Sequence, residues 1–232
     1  MRLAAAARRS AADLFKCKES EIIFTSGGTE ANNLAIYGLA YQYKKDHKRK
    51  AGHIIASAIE HRSILRALEL FESDGGSYTL VEPDATGRIR PEAVERVVRK
   101  DTFLVSVMMA NNEIGTIEPI REIGFLAHKN GCLFHTDAVQ AAGHIPISMA
   151  EGIIDLMSAS AHKMYGPKGI GLLYVREGIE IQPLLVGGMQ ERGRRAGTEN
   201  IFSKALNVEI YKPNISNISS SIFNKSFSIL KP

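Results

Sequence analysis

The sequence predicts an α/β fold, a mostly parallel sheet with helices packed on both of its faces. Three observations carry that prediction. Helical and strand periodicities alternate along the chain, the pattern of successive βα units. The run Phe103–Met109 is almost wholly apolar, as a strand covered on both faces must be. The turn Thr25-Ser26-Gly27-Gly28-Thr29-Glu30 joins a strand to a helix, a junction that such sheets place at the carboxyl ends of their strands, where ligands collect.

Each element follows from its local pattern. Leu3, Ala7, Ala11, Leu14 and Phe15 recur at helical spacing, so the Ala- and Arg-rich start reads as an amphipathic helix in preference to an organellar presequence. A strand at 21–25 leads through the glycine turn into a helix over 31–43. A strand at 53–58 precedes a helix near 63–72, and a strand at 78–81 ends at the turn Pro83–Gly87. Pro91 sets a helix start, with the helix running over 92–99. After the strand 103–109 come a helix near 120–129 and strands at 132–135, 153–158 and 171–175.

Composition narrows the class. A length of 232 residues suits one substantial domain, or one with an appendage. With 44% hydrophobic and 23% charged residues the chain reads as an ordinary globular protein, and no apolar run reaches a membrane-spanning length. The net charge of +4 is dispersed except at Lys44–Lys50, where a helix should end. There cations complement the helix dipole, and no aromatic residues interleave to stack bases, so no nucleic-acid partner is expected. Two cysteines, Cys17 and Cys132, make no disulfide framework and fit a reducing, cytoplasmic setting, an organelle being the alternative. From about residue 202 Ser, Asn, Ile, Phe and Lys dominate and no period persists, so 202–232 is expected to be an unrelated, disordered tail on a domain of residues 1–201.

The chemistry-bearing residues gather at predicted strand ends. Gly27 and Gly28 let the backbone approach an anion at a helix N-terminus, and Thr29 adds a hydroxyl; the alternative is a plain turn. Asp137, in His135-Thr136-Asp137-Ala138-Val139-Gln140, is either a helix cap for the residues after it or the partner of a pyridinium nitrogen, whose phenolic oxygen Gln140 could reach. His135 and Asp137 have no third ligand spaced to complete a metal site, so none is expected. Lys163 closes Ser160-Ala161-His162-Lys163. It is either a surface lysine or, in a dry cleft beside hydroxyl and imidazole donors, the amine that forms a Schiff base with pyridoxal phosphate (PLP). His61 and Asn112 fall at the same sheet end, and His61 could stack on a flat ring or shuttle protons. His47, His53, His128 and His144 show no partner in sequence and read as structural.

Taken together, these runs resemble the PLP-dependent cysteine desulfurases and selenocysteine lyases of the class V aminotransferase superfamily. The matching segments are Thr25–Asn33, Glu60-His61, Asn111–Gly115, His135–Gln140, Ser160–Lys163, Tyr165–Gly171 and Gln190–Asn200, in order from about residue 4 to 201. The resemblance implies the large domain of a fold-type I PLP transferase. It implies Lys163 as the covalent anchor, Asp137 on the ring nitrogen, Gln140 on the ring hydroxyl and His61 stacked on the ring. Gly28, Thr29, Ser160 and His162 would bind the phosphate, and Asn112 would lie beside cofactor and substrate. Thr198 would reach the phosphate of the other subunit, implying a homodimer. The implied reaction takes cysteine or selenocysteine, with sulfur passed from L-cysteine as a persulfide to an acceptor protein for iron–sulfur assembly or thio-modification.

The family's sulfur-attacking cysteine and carboxylate-binding arginine lie downstream of the matched region, and residues 202–232 contain neither type. Cys132 stands five residues before Asp137, on the order of 16 Å along an extended strand, and Cys17 precedes the strand into the glycine turn; both sit at the wrong end. A member truncated at both flanks is therefore expected. Its alternatives are a non-catalytic PLP-binding remnant or another class V activity.

Overall fold

The computed structural model describes residues 2–48, 50–198 and 200. The boundary drawn at 201 and the segment 202–232 lie outside the described residues. The elements are α1 (Arg2–Phe15), β1 (Ile22–Thr25), α2 (Gly28–Asp46), β2 (His53–Ser57), α3 (Arg62–Ser73), β3 (Ser77–Val81), α4 (Pro91–Glu95), β4 (Thr102–Ser106), α5 (Ile120–Lys129), β5 (Leu133–Asp137), β6 (Leu156–Ser160) and β7 (Gly171–Val175).

One seven-stranded sheet runs in the order β1-β7-β6-β5-β4-β2-β3. Every neighbouring pair from β6 to β3 is parallel, whereas β7 is antiparallel to both β6 and β1. Two reversals restore direction, so β1 points the same way as the parallel set. Its carboxyl end, and the glycine turn after it, fall at the same end of the sheet as those of β2, β4, β5 and β6.

Strand periodicity divides the core in two. Ile22, Phe24, Ile55, Val105, Phe134 and Met157 pack on one face with Ala7, Ala11 and Phe15 of α1, Val94 of α4 and Ile123 of α5. Ile23, Ile54, Leu104, Leu156 and Leu173 face the other way, against Leu34 and Ile36 of α2 and Ile64, Leu68 and Phe71 of α3. Each buried Leu, Ile or Phe contributes roughly 1.5–3 kcal/mol of transfer free energy, which fixes the helices where the pattern of apolar residues demands them. Helices on both faces of a mostly parallel sheet are as the sequence predicts. Lys44 and Lys45 occupy the last turn of α2, complementing its dipole.

Most element bounds shift by one to three residues from those read in sequence, as β5 (Leu133–Asp137) and α2 (Gly28–Asp46) do, and three of the shifts have a local cause. The helix opened by Pro91 stops at Glu95, short of Arg99; the β-branched pair Val97-Val98 suits a helix poorly, and Thr102 Oγ1 accepts Arg99 N–H (2.8 Å) in the turn instead. The strand expected over 103–109 ends as a two-sided strand at Ser106, because β2 has already ended; Val107 and Met109 N–H still donate to His135 and Asp137 carbonyls of β5. β6 begins at Leu156 rather than Ile153, because the preceding Asp155 bonds the Phe134 N–H with its carboxylate (2.7 Å). The shift carries β6 two residues further, making Ser160 its last residue.

Candidate active site

The glycine turn after β1 is held tightly against two other strand ends. Gly27 caps α2, and Thr25 Oγ donates to its carbonyl (3.0 Å). A Cβ built on Gly28 would lie 2.6 Å from Val139 Cγ2 and 3.6 Å from Ser160 Cβ. A Cβ on Gly171, the first residue of β7, would lie 2.5 Å from the Gly27 carbonyl carbon. Close backbone approach thus requires both Gly28 and Gly171, and it brings the glycine turn, the Asp137–Gln140 turn and Ser160 into one place.

Asp137, last residue of β5, is buried; Oδ1 accepts Val139 N–H (2.8 Å) and Oδ2 accepts the Asn32 amide (2.7 Å). Burial raises its pKa, against the lowering effect of those two bonds and of nearby His61. No helix follows β5, so Oδ1 braces a turn instead of capping a helix, and a cation beside the carboxylate would relieve its desolvated charge. Gln140 is half-buried in the turn after β5. His135 is fully buried, its Nδ1 2.8 Å from Ser106 Oγ and its Nε2 3.1 Å from Ser158 Oγ, and burial pushes its pKa down to about 3. It is a neutral rung within the sheet.

Ser160 is buried, with Oγ 2.8 Å from His162 Nδ1. His162 and Lys163 are exposed, which corrects the expected dry cleft around the lysine. The reason is local: a 3₁₀ turn over Ala161–Lys163 carries both outward while Ala161 and Met164 stay buried. The Lys163 carbonyl accepts from His144 Nε2 (2.9 Å). The histidines read as partnerless all have partners: His53 meets Thr102 and Thr79 hydroxyls, His128 meets Asp155, and His47 meets the Tyr43 carbonyl.

His61 caps α3, its Nδ1 accepting Ser63 N–H (3.1 Å), and it shares a groove of about 450 Å³ with Thr29 and Asn33. Asn112 is exposed. Its neighbour Asn111 does the structural work, donating to the Ile59 carbonyl (3.0 Å) and accepting the Glu113 and Ile114 N–H groups. Thr198 is exposed, on a segment fastened to the glycine turn by Arg195, which pairs with Glu30 through Nε (2.8 Å) and a second nitrogen (3.2 Å). Sequence reasoning missed Asn32, Ser63 and Glu60. The first two stood inside helices, and Glu60 gave no signal beyond its place beside His61.

The family model for aminotransferase class-V matches residues 1–209. The chain belongs to the aminotransferase class-V family. Its similar relatives include the cysteine desulfurase IscS of Methanosarcina thermophila, 51% identical over 195 residues, covering 84% of this chain and 47% of that protein. A putative cysteine desulfurase IscS 1 of Bacillus subtilis (strain 168) is 52% identical over 183 residues, covering 79% and 47%. The solved structure of SspA in complex with cysteine superposes with a TM-score of 0.89 at 38% identity, covering 99% of this chain and 65% of that one. This class-V chain thus spans about half the length of the curated relatives it matches.

Proposed function

We propose that this chain is the PLP-binding part of a cysteine desulfurase, a transferase acting on L-cysteine. The observation that carries the reading is the packing of Gly28 against Val139 and Ser160, beside the buried Asp137. The fit to PLP is chemical. The glycine turn has no room for a side chain at Gly28 and sits at a helix N-terminus, where first-turn N–H groups favour a dianion. Asp137 is a buried carboxylate whose raised pKa a pyridinium nitrogen would offset.

Bound there, PLP supplies an electron sink for bonds at the substrate α-carbon. Gly28, Thr29, Ser160 and His162 hold the phosphate, Asp137 keeps a proton on the ring nitrogen, and Gln140 bonds the ring hydroxyl. Lys163, exposed on its 3₁₀ turn, would hold the cofactor through its side-chain amine. His61 covers the ring, Asn112 lies beside ring and substrate, and Thr198 reaches the phosphate of a second copy in a homodimer. The sulfur acceptor belongs to iron–sulfur assembly or thio-modification. A second reading, PLP binding without sulfur transfer by this chain, draws on its thiols. Burial pushes Cys17 up to about 12, with Glu21 and Asp13 adding to it, and pushes Cys132 up to about 11.

The test is spectroscopic. PLP added to the 232-residue chain should give a visible absorption band in the parent and none in Lys163→Ala. A parent without the band would overturn the cofactor assignment, and a band surviving in Lys163→Ala would overturn that of the lysine. Adding L-cysteine and assaying alanine and sulfide then separates the two readings.

A further inference from the structure

A continuous hydrogen-bond chain links two groups assigned to the ring. Asn32, on the second turn of α2 and 1% exposed, donates its side-chain amide to Asp137 Oδ2 (2.7 Å) and to Ser63 Oγ (2.8 Å). Its Oδ1 is buried without a hydrogen-bond partner, so the side chain is placed for its two donors at the expense of its acceptor. Ser63 Oγ lies 2.8 Å from His61 Nδ1, and Ser63 N–H donates to that same nitrogen (3.1 Å). Since Ser63 Oγ accepts from Asn32, its own proton turns to His61. A backbone N–H can only donate. His61 Nδ1 therefore receives two donors and carries no proton, which leaves the proton of the neutral imidazole on Nε2.

We propose that Asn32 and Ser63 are positioning residues that fix His61 as its Nε2–H tautomer and join it to the Asp137 carboxylate, so that the two ring contacts respond as one unit. The proposal rests on reading Asp137 and His61 as ring contacts. Its chemical consequence is specific: neutral His61 presents a hydrogen-bond donor at Nε2 and has no free lone pair, so it acts first as a donor and not as a base. The charged and titratable groups around the chain are Asp137 on β5, whose pKa burial raises and Asn32 lowers, and Glu60 next to His61, which interacts with Asp137.

The experiment uses the full 232-residue chain with ¹⁵N-labelled histidine and ¹³C-labelled aspartate, first without PLP. The parent should show His61 with a protonated Nε2 and a bare Nδ1, and the His61 signals should register the Asp137 titration. In Asn32→Ala the Asp137 titration should move to higher pH, and PLP should then bind about tenfold more weakly, the effect of one lost charge-assisted bond. In Ser63→Ala the Asp137 step in the His61 signals should shrink to the part that His61 and Asp137 share directly through space. A neutral His61 protonated at Nδ1 in the parent would overturn the proposal without recourse to any variant. So would an Asn32→Ala protein that melts like the parent and titrates Asp137 unchanged, or an Asp137 step of undiminished size in Ser63→Ala. A parent with the expected histidine signature but no visible band with PLP would sink the proposed function and leave the relay standing.

Discussion

At the residue scale the site depends on one missing side chain. Gly28 is the point where the turn after β1, the turn after β5 and the end of β6 meet, and its substitution by alanine places a methyl group 2.6 Å from Val139 Cγ2. Val139 is held by its own N–H bond to Asp137, so relief would have to come from the Asp137–Gln140 turn. Gly28→Ala should therefore lower stability by about 1–3 kcal/mol, the usual penalty of overpacking, and weaken PLP binding by more than the stability loss explains. Gly27, whose Cβ would meet nothing within 4 Å, is the control: Gly27→Ala should leave the fold intact. Thermal melting and PLP titration of the visible band check both. PLP affinity in Gly28→Ala equal to the parent's would show that the cradle is not where the phosphate binds.

At the element scale, the ends of β2 and β4 are joined by a carboxyl group. Beyond Ser106 the strand has lost its β2 neighbour, and Glu60 Oε1 takes over, accepting Met108 N–H (2.6 Å) and Ser57 Oγ–H (2.5 Å). With Asn111 bonded to the Ile59 carbonyl, this fastens the His61 turn to the Asn111–Asn112 turn. Burial raises the Glu60 pKa from 4.5 to about 8, more than its bond from Ser57 lowers it, and Asp137 and Glu118 add to the rise. A raised folded-state value means that between pH 4.5 and about 8 the folded state holds a proton that the unfolded state has lost. Stability contributed by this group is whole below pH 4.5, falls as pH rises through that window and is flat above it. Glu60→Gln keeps an acceptor for Met108 and has no such loss, so its melting temperature should rise against the parent's from about pH 5 to about pH 8. A constant difference across that range would mean that Glu60 is ionised throughout. The elements themselves were largely legible: α5 and β7 fall where their periodicity places them, because apolar spacing is what burial selects. The Glu60 staple was not legible, since nothing local in the sequence says where a neighbouring strand will stop. Nor was the Asn32–Ser63 link, which joins residues 31 positions apart on two helices, or the exposure of Lys163, which depends on a 3₁₀ turn that no periodicity announces.

At the scale of the whole molecule, direction decides what the chain can do. β1, β2, β4, β5 and β6 all deliver their carboxyl ends to one side, so the glycine turn, His61, Asn112, Asp137 and Ser160 converge although they span more than half the sequence. The two cysteines obey the same geometry in reverse. Cys132 precedes β5 and so lies at the strand end opposite Asp137, buried, its Sγ 3.3 Å from the Thr102 carbonyl. Cys17 lies in the turn between α1 and β1, before the strand whose far end carries the glycine turn, and is half-buried against the core. With thiol pKa values pushed up to about 11 and about 12, the thiolate fraction at pH 7 is on the order of one in ten thousand or less, and the thiolate is the nucleophile. Both thiols lie at the sheet end opposite the glycine turn and Asp137. The native chain should thus react with a disulfide reagent at least about a hundredfold more slowly than the unfolded chain, with two thiols released on denaturation. After incubation with PLP and L-cysteine, mass spectrometry should find no sulfur atom added at Cys17 or Cys132. Persulfide on Cys132 would require β5 to leave the sheet and would overturn the assignment of the two sheet ends; persulfide on Cys17 would show that α1 opens to admit substrate.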